Sequence, residues 1–386
     1  MTPKFVDGNK LQLLRNGTAY FPALQQAIDV AKGEIYLETY IFRDDETGQA
    51  IAAALARAAQ RGVAVRVLVD GFGCKDHFAE IRERLLAANV QVLIYRPKIS
   101  PLTLRRNRLR RMHRKLAVID ARMAFASGIN IIDDMDTPGD NPPRYDYAVR
   151  IEGPLLAPIV EEVERLWSRV AWASLRRRWC DKRIVAVDAA PRGSQRAALV
   201  VRDNLRHRSD IEDAYLAAIG NARVEIIIAN AYFFPGVRFR RALLDATRRG
   251  VRVMLLLQGR VEYFLQHYAS RAFYGPLLDA GVEIYEYKRS FMHAKVAVID
   301  QRWSAVGSSN IDPFSLLLAR EANIVVDDQP FAQELRRNLQ RDMESGAMIV
   351  AKTAWRHQPW LERALIWASY NFARLLMGLT GYADKQ

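Results

Sequence analysis

The apolar residues of this 386-residue chain fall into short blocks that recur, in one order, in each half. "GEIYLETYIF" (33–42) is answered by "VEIIIANAYFF" (224–234), and "RGVAVRVLVDG" (61–71) by "RGVRVMLLLQG" (249–259). "ANVQVLIYRP" (88–97) is answered by "AGVEIYEYKR" (280–289), and "DYAVRIEG" (146–153) by "EANIVVDD" (321–328). Short β-branched and aromatic runs predict strands. "GQAIAAALARAAQRG" (48–62) and "VRFRRALLDATRRG" (237–250) place small and apolar residues at helical spacing and close on Arg-Gly, a helix-ending signal. The strands that follow, "VRVLV" and "VRVMLLL", are apolar almost throughout, as strands covered on both faces must be.

Strand–helix alternation repeated in order predicts two tandem, duplicated α/β domains with mixed sheets. "ASLRRRWCDKRIVAVDAAPRGSQR" has no clean period, and "AALVVRDN" (197–204) then restarts the pattern of "KLQLLRNG" (10–17). The expected division is a domain over 1–170, a linker over 171–196, a second domain over 197–350 and a C-terminal segment over 351–386.

Charge narrows the partners. With 57 basic against 43 acidic residues the chain carries +14, which suits a polyanion such as a phospholipid surface, nucleic acid or a phosphorylated substrate. Two cysteines, Cys74 and Cys180, fit a reducing compartment and exclude a disulfide framework. The first residues lack an apolar signal core, so the expected location is cytoplasmic.

One repeated phrase carries chemistry. "MHRKLAVID" ends at Asp120 and "MHAKVAVID" at Asp300; both read His-x-Lys, four residues, Asp. Read as strands, they put His113 with Lys115, and His293 with Lys295, on common faces. An ammonium can hold phosphate oxygens while an imidazole attacks phosphorus or moves a proton. Asn130 and Asn310 lie ten residues beyond the aspartates, where an amide can donate to a phosphoryl oxygen. Asp146 and Glu321 open the next strands, and a carboxylate beside each histidine would fix its tautomer.

These paired signatures, with "ASGIN" and "GSSN" after them, resemble the phospholipase D superfamily over most of the chain. "RRMHRK", "DYAVRIEGP", "NAYFFPG" and "VGSSNIDPFSLLLAREANI" resemble its bacterial cardiolipin synthases, B type. The resemblance implies one active site between pseudo-twofold-related halves, without cofactor or metal. It implies catalytic sets of His113, Lys115 and Asp120 and of His293, Lys295 and Asp300, with the aspartates supporting strand geometry. His113 is expected as nucleophile and His293 as acid and base. Lys115, Lys295, Asn130, Asn310 and Ser308 are expected on phosphate, though Gly128 stands where Ser308 has its counterpart. Asp146 is expected to orient His113, and Glu321 to orient His293. The implied activity is phosphatidyl transfer from one phosphatidylglycerol to the hydroxyl of another, releasing glycerol through a phosphohistidine. The alternatives are hydrolysis of phospholipid or nucleic acid by the same chemistry, or a membrane scaffold with a dead site. The apolar tail argues against nucleic acid, and the intact histidines against the scaffold.

Two segments fit a membrane surface. Tyr95 precedes His113 by 18 residues whereas Tyr287 precedes His293 by 6, so the first half holds about twelve extra residues. They bring Arg105, Arg106, Arg108, Arg110 and Arg111 among leucines, an arrangement that attracts anionic lipid. At the C-terminus "WLERALIWASYNFARLLMGLTGY" (360–382) has an apolar stripe with Trp360, Trp367 and Phe372, too interrupted by polar residues to span a bilayer. A helix lying in the interface and one packed on the protein both fit. The expected address is the cytoplasmic face of the cell membrane, peripheral, on phosphatidylglycerol-bearing lipid.

Overall fold

The computed structural model describes residues 3–97, 110–137, 142–180, 185–203, 206–261, 264–312 and 319–379. The first half runs β1 (Val6–Arg15), α1 (Asn16–Val30), β2 (Glu34–Thr39), α2 (Glu46–Gln60), β3 (Ala64–Asp70), α3 (Ala79–Ala87), β4 (Gln91–Tyr95), β5 (Arg111–Met112), β6 (Lys115–Ile119), β7 (Met123–Ser127), β8 (Tyr147–Glu152) and α4 (Leu156–Ala173). The second runs β9 (Gln195–Arg202), α5 (Asp210–Asn221), β10 (Glu225–Asn230), α6 (Val237–Arg248), β11 (Arg252–Gln258), α7 (Phe264–Arg271), α8 (Tyr274–Asp279), β12 (Glu283–Tyr287), β13 (Lys295–Ile299), β14 (Trp303–Gly307), β15 (Ala319–Asp327) and α9 (Gln329–Gly346). β16 (Ala347–Ile349), α10 (Lys352–Arg356) and α11 (Trp360–Leu379) follow.

In the first half the sheet order is β1-β8-β7-β6-β2-β3-β4, and in the second β9-β15-β14-β13-β10-β11-β12, with β16 on its edge. The orders match strand for strand. β2-β3-β4 and β10-β11-β12 are parallel runs linked through helices, and the remaining neighbours on these two paths are antiparallel. The two mixed sheets are not separate. β1 pairs antiparallel with β9, with an irregular register between Val6 and Asn9, and joins them into one sheet.

The expected strand over 33–42 stops at Thr39, whose hydroxyl donates to Ile41 O (2.8 Å) and so draws the backbone out of the ladder. Phe42 and Phe233 beyond these strands make only isolated bridges, to Ile131 and Ile311. After β6 and β13 the chain reverses through Asp120-Ala121 and Asp300-Gln301. All four residues have positive φ, between 49° and 54°, and form the centre of tight turns closed by Arg122 N to Ile119 O and Arg302 N to Ile299 O.

Both faces of the sheet are covered. Helices α1, α2 and α3 close one core over the first half, and α5 to α8 close another over the second. Between the halves lies a third, shared core, which takes Leu156, Val163 and Trp167 from α4 and Phe331, Leu335 and Leu339 from α9. Each such fully buried side chain contributes about 1.5–3 kcal/mol. Arg15 on β1 reaches across this core to pair with buried Asp342 on α9 (2.6 Å). Between α4 and β9, Trp179 stacks on Trp167 (6.3 Å between ring centres), and Asp188 N donates to Ala121 O (3.0 Å), both contacts with the first half.

The C-terminal helix α11 settles on the second half through one stripe, Ile366, Ser369 and Ala373, all buried. Its opposite face is open: Trp360 is 73% exposed, Leu361 64%, Trp367 69%, Phe372 50% and Leu375 58%. No described helix is long and apolar enough to cross a membrane.

Candidate active site between the halves

Each His-x-Lys segment enters the site from its own half and is fastened by the other. β5 pairs in parallel with the start of β15, Met112 opposite Arg320. His113 N then donates to Arg320 O (2.9 Å). The second half mirrors this: Met292 bridges to Tyr145, and His293 N donates to Tyr145 O (2.8 Å). The strands proper begin at Lys115 and Lys295, two residues later than the pattern suggested, because each histidine is spent on this cross-connection.

The cross-connection decides which acid meets which imidazole. Glu321 follows Arg320, so its carboxylate lies at Nδ1 of His113, 3.0 Å from Oε1 and 3.2 Å from Oε2. Asp146 follows Tyr145, and its Oδ2 lies 2.8 Å from Nδ1 of His293. The pairing expected within each half is therefore exchanged: Glu321 belongs to His113 and Asp146 to His293. A carboxylate accepts, so Nδ1 of each imidazole carries a proton, and Nε2 holds a lone pair in the neutral ring and a proton in the imidazolium.

The lysines sit deeper. Lys115 and Lys295 are buried, and each Nζ donates to the carbonyl of its own histidine, for Lys115 at 2.6 Å. Lys295 Nζ also lies 2.7 Å from His293 Nδ1 and 3.5 Å from Asp146 Oδ2, so these three groups form one cluster. Burial pushes the Lys115 ammonium down to about 7, against the pull of Glu321. It lowers both histidines as well; for His293, well below the ordinary value, the adjoining Lys295 adds to burial. Burial raises Asp146, with Lys295 opposing. An aromatic ring flanks each imidazole edge-on, Tyr40 at His113 (4.8 Å) and Tyr232 at His293 (6.5 Å). Both histidine side chains remain 16% exposed, enough to be reached. Two largely buried imidazoles with accessible edges thus stand beside two buried lysine amines.

A family model described as "Cardiolipin synthase, PLD-like domain" matches residues 24–167 and 215–343, each span holding one His-x-Lys set and one acid. The chain belongs to the cardiolipin synthase family. Cardiolipin synthase B of Escherichia coli K12 is 42% identical over 377 residues, covering 97% of this chain and 90% of that protein. The major cardiolipin synthase of Bacillus subtilis is 30% identical over 348 residues, covering 88% and 70%. Among solved structures, phosphatidylserine synthase of Haemophilus influenzae shares the fold with a TM-score of 0.71 at 14% identity, over 97% of this chain and 95% of that one.

The other residues expected in this cardiolipin synthase-family site have the following partners. Asp120 and Asp300 sit at the far ends of β6 and β13. Their carboxylates accept from the backbone N–H groups of Lys32, Gly33 and Glu34, and of Arg223, Val224 and Glu225. They pin the loops that enter β2 and β10 and take no place among the catalytic groups. Ser308 is not on the phosphate side either: its hydroxyl donates to Glu321 Oε2 from behind. At the matching Gly128 a Cβ would come within 2.5 Å of both Asp146 oxygens, so the shorter acid occupies the room a serine would need. Asn130 turns its amide oxygen to Ile41 N (3.2 Å), and Asn310 lies buried beside Tyr215 and Phe239. Arg105, Arg106 and Arg108 lie outside the described residues. Arg110 and Arg111 are half-buried, with the Arg111 guanidinium 5.2 Å from the Phe72 ring centre.

Three supports escaped the sequence reading. Asp70, ending β3, accepts from Met112 N (2.8 Å); Gln258, ending β11, donates to Met292 O (3.1 Å). Both are polar residues before glycine at matched ends of apolar strands, a signal present in "VLVDG" and "LLLQG". Arg114 is buried in a triad with Glu38 and Glu162. The second half has Ala294 and Ala229 at the matching places of Arg114 and Glu38, so the repeat alignment held a paired loss of charge.

Proposed function

We propose that the protein is a cardiolipin synthase that transfers a phosphatidyl group between two phosphatidylglycerol molecules. The observation that carries this is the meeting of two His/Lys sets, one from each half, with each imidazole held by the other half's acid. Double displacement at phosphorus needs a nucleophile on one side and a proton donor on the other, and the crossed pairs supply both.

His113 is the proposed nucleophile. Its Nδ1 proton faces both oxygens of Glu321, which raises the basicity of Nε2. Nε2 attacks phosphorus as the bond to the glycerol oxygen breaks, and His293 protonates that oxygen. Glycerol leaves, and a phosphohistidine holds the phosphatidyl group. The terminal hydroxyl of the second phosphatidylglycerol then gives its proton to His293 and attacks phosphorus, breaking the P–N bond. His293 suits proton traffic because Asp146 stabilises the imidazolium while burial and the adjacent Lys295 favour its giving the proton up. Lys115 and Lys295 neutralise the non-bridging oxygens, and the amide nitrogen of Asn130 is proposed as a further donor.

We place the enzyme on the cytoplasmic face of the cell membrane. The outward face of α11 supports this: tryptophans, leucines and a phenylalanine left exposed on one side form an interfacial surface. The basic segment 105–111 is the proposed second contact.

Incubation with labelled phosphatidylglycerol in vesicles tests the reading. Cardiolipin and glycerol are the expected products. Phosphatidic acid with no cardiolipin would make the enzyme a hydrolase, and no product would sink the assignment.

A further inference from the structure

Beneath α11, away from the histidines, the second half holds an open cavity of about 710 Å³ lined by α6, the α7–α8 segment, α10 and α11. Among the described residues its wall contains five arginines and no aspartate or glutamate. Arg271 and Arg356 are partly answered by Glu286, Glu362 and Asp279. Arg240, Arg241 and Arg363 form no ion pair among the described residues. The Arg240 guanidinium lies 4.8 Å from the Phe273 ring centre, and its buried Nε has no hydrogen-bond partner. Three unanswered guanidinium groups around one cavity repel one another and are stabilised by an anion between them.

The rest of the lining is apolar and aromatic, with Trp355, Trp367 and Tyr370 beside Phe273. Trp367 belongs both to the cavity and to the exposed face of α11. The cavity thus opens where the proposed membrane surface lies and offers cations next to apolar walls. Phosphate alone would leave those walls unused; a phospholipid headgroup with the start of its acyl chains uses both.

We infer that this cavity is a second phospholipid site, which takes the phosphodiester of an anionic phospholipid on Arg240, Arg241 and Arg363 and its glyceryl and first acyl carbons on the aromatic wall. It rests on the membrane-facing placement of α11 but not on catalysis. The site has a route to the active centre: Phe273 and Tyr370 both contact Phe234 (4.8 and 6.0 Å), two residues after Tyr232, the ring beside His293. It has no counterpart in the first half, where α2 carries alanines in place of the arginine pair.

Calorimetric titration with dihexanoyl phosphatidylglycerol below its critical micelle concentration tests this without any membrane. His113→Ala protein serves as the parent, so that turnover is absent. Two molecules should bind per chain. Adding Arg241→Gln and Arg363→Gln, both exposed and without ion pairs, should weaken one of the two roughly tenfold or more per arginine, the scale of a charge-assisted hydrogen bond. Dihexanoyl phosphatidylcholine should not fill that site. An isotherm unchanged by the arginine substitutions would overturn the inference, as would inorganic phosphate binding there as tightly as the lipid. Absence of cardiolipin from the wild-type reaction would overturn the enzymatic reading and leave this titration unaffected.

Discussion

Glu321 shows at the scale of one residue what the sequence carried and what it hid. That an acid would stand by each imidazole was legible from its place at the head of a strand. Which imidazole it serves was not, because that depends on the hydrogen bond from His113 N to Arg320 O, formed between residues 207 positions apart. Ser308 was misplaced for the same reason: it lies behind Glu321, and no spacing within one half reveals an acid's outer side. Replacing Glu321 by Gln keeps the shape and removes the charge that stabilises the imidazolium. We expect kcat for cardiolipin formation to fall on the order of 10²- to 10⁴-fold with thermal unfolding little changed, as when a triad acid is lost. Lys115 predicts a pH dependence. Burial lowers its pKa to about 7, so its positive charge is present below that pH and lost above it. In the free enzyme kcat/KM should therefore decline as pH rises through about 7. Lys115→Arg stays charged, and its profile, whatever its height, should lack that decline.

Secondary elements were legible wherever hydrophobic period decided them. Helices expected over 48–62 and 237–250 fold as Glu46–Gln60 and Val237–Arg248, and the apolar runs became strands buried on both faces. Periodicity failed where a side chain competes with the ladder, as at Thr39, and where a tertiary partner claims the backbone, as at His113 and His293. The helix α11 had two readings by pattern alone, packed or interfacial. The fold shows one stripe packed on the second half and leaves the other outward, the face proposed to meet the membrane. Replacing Trp360, Trp367 and Phe372 by serine removes outward apolar area without touching the packed stripe. The variant should keep its unfolding temperature and move from the membrane pellet to the soluble fraction on cell fractionation. Unaltered recovery with the membrane would show that α11 is not the contact.

For the whole molecule, duplication was legible from the five repeated segments, whereas the continuity of the sheet was not. That continuity comes from β1 pairing with β9, which no local pattern specifies. Because each imidazole is held by the other half of the same chain, His113→Ala and His293→Ala should each abolish cardiolipin formation. Mixing the two purified variants should restore none of it, since every chain still lacks one histidine at its own site. Recovery of activity in the mixture would mean that chains exchange halves. The crossed arrangement also has a consequence for the chain as it is being made. When the first half leaves the ribosome it carries His113 and Lys115 but neither Glu321 nor the Arg320 carbonyl that aims the imidazole. Both arrive with β15, late in synthesis. A chain that ends before β15 therefore holds no working phosphodiester-cleaving centre. The reactive site switches on only when the molecule is nearly whole.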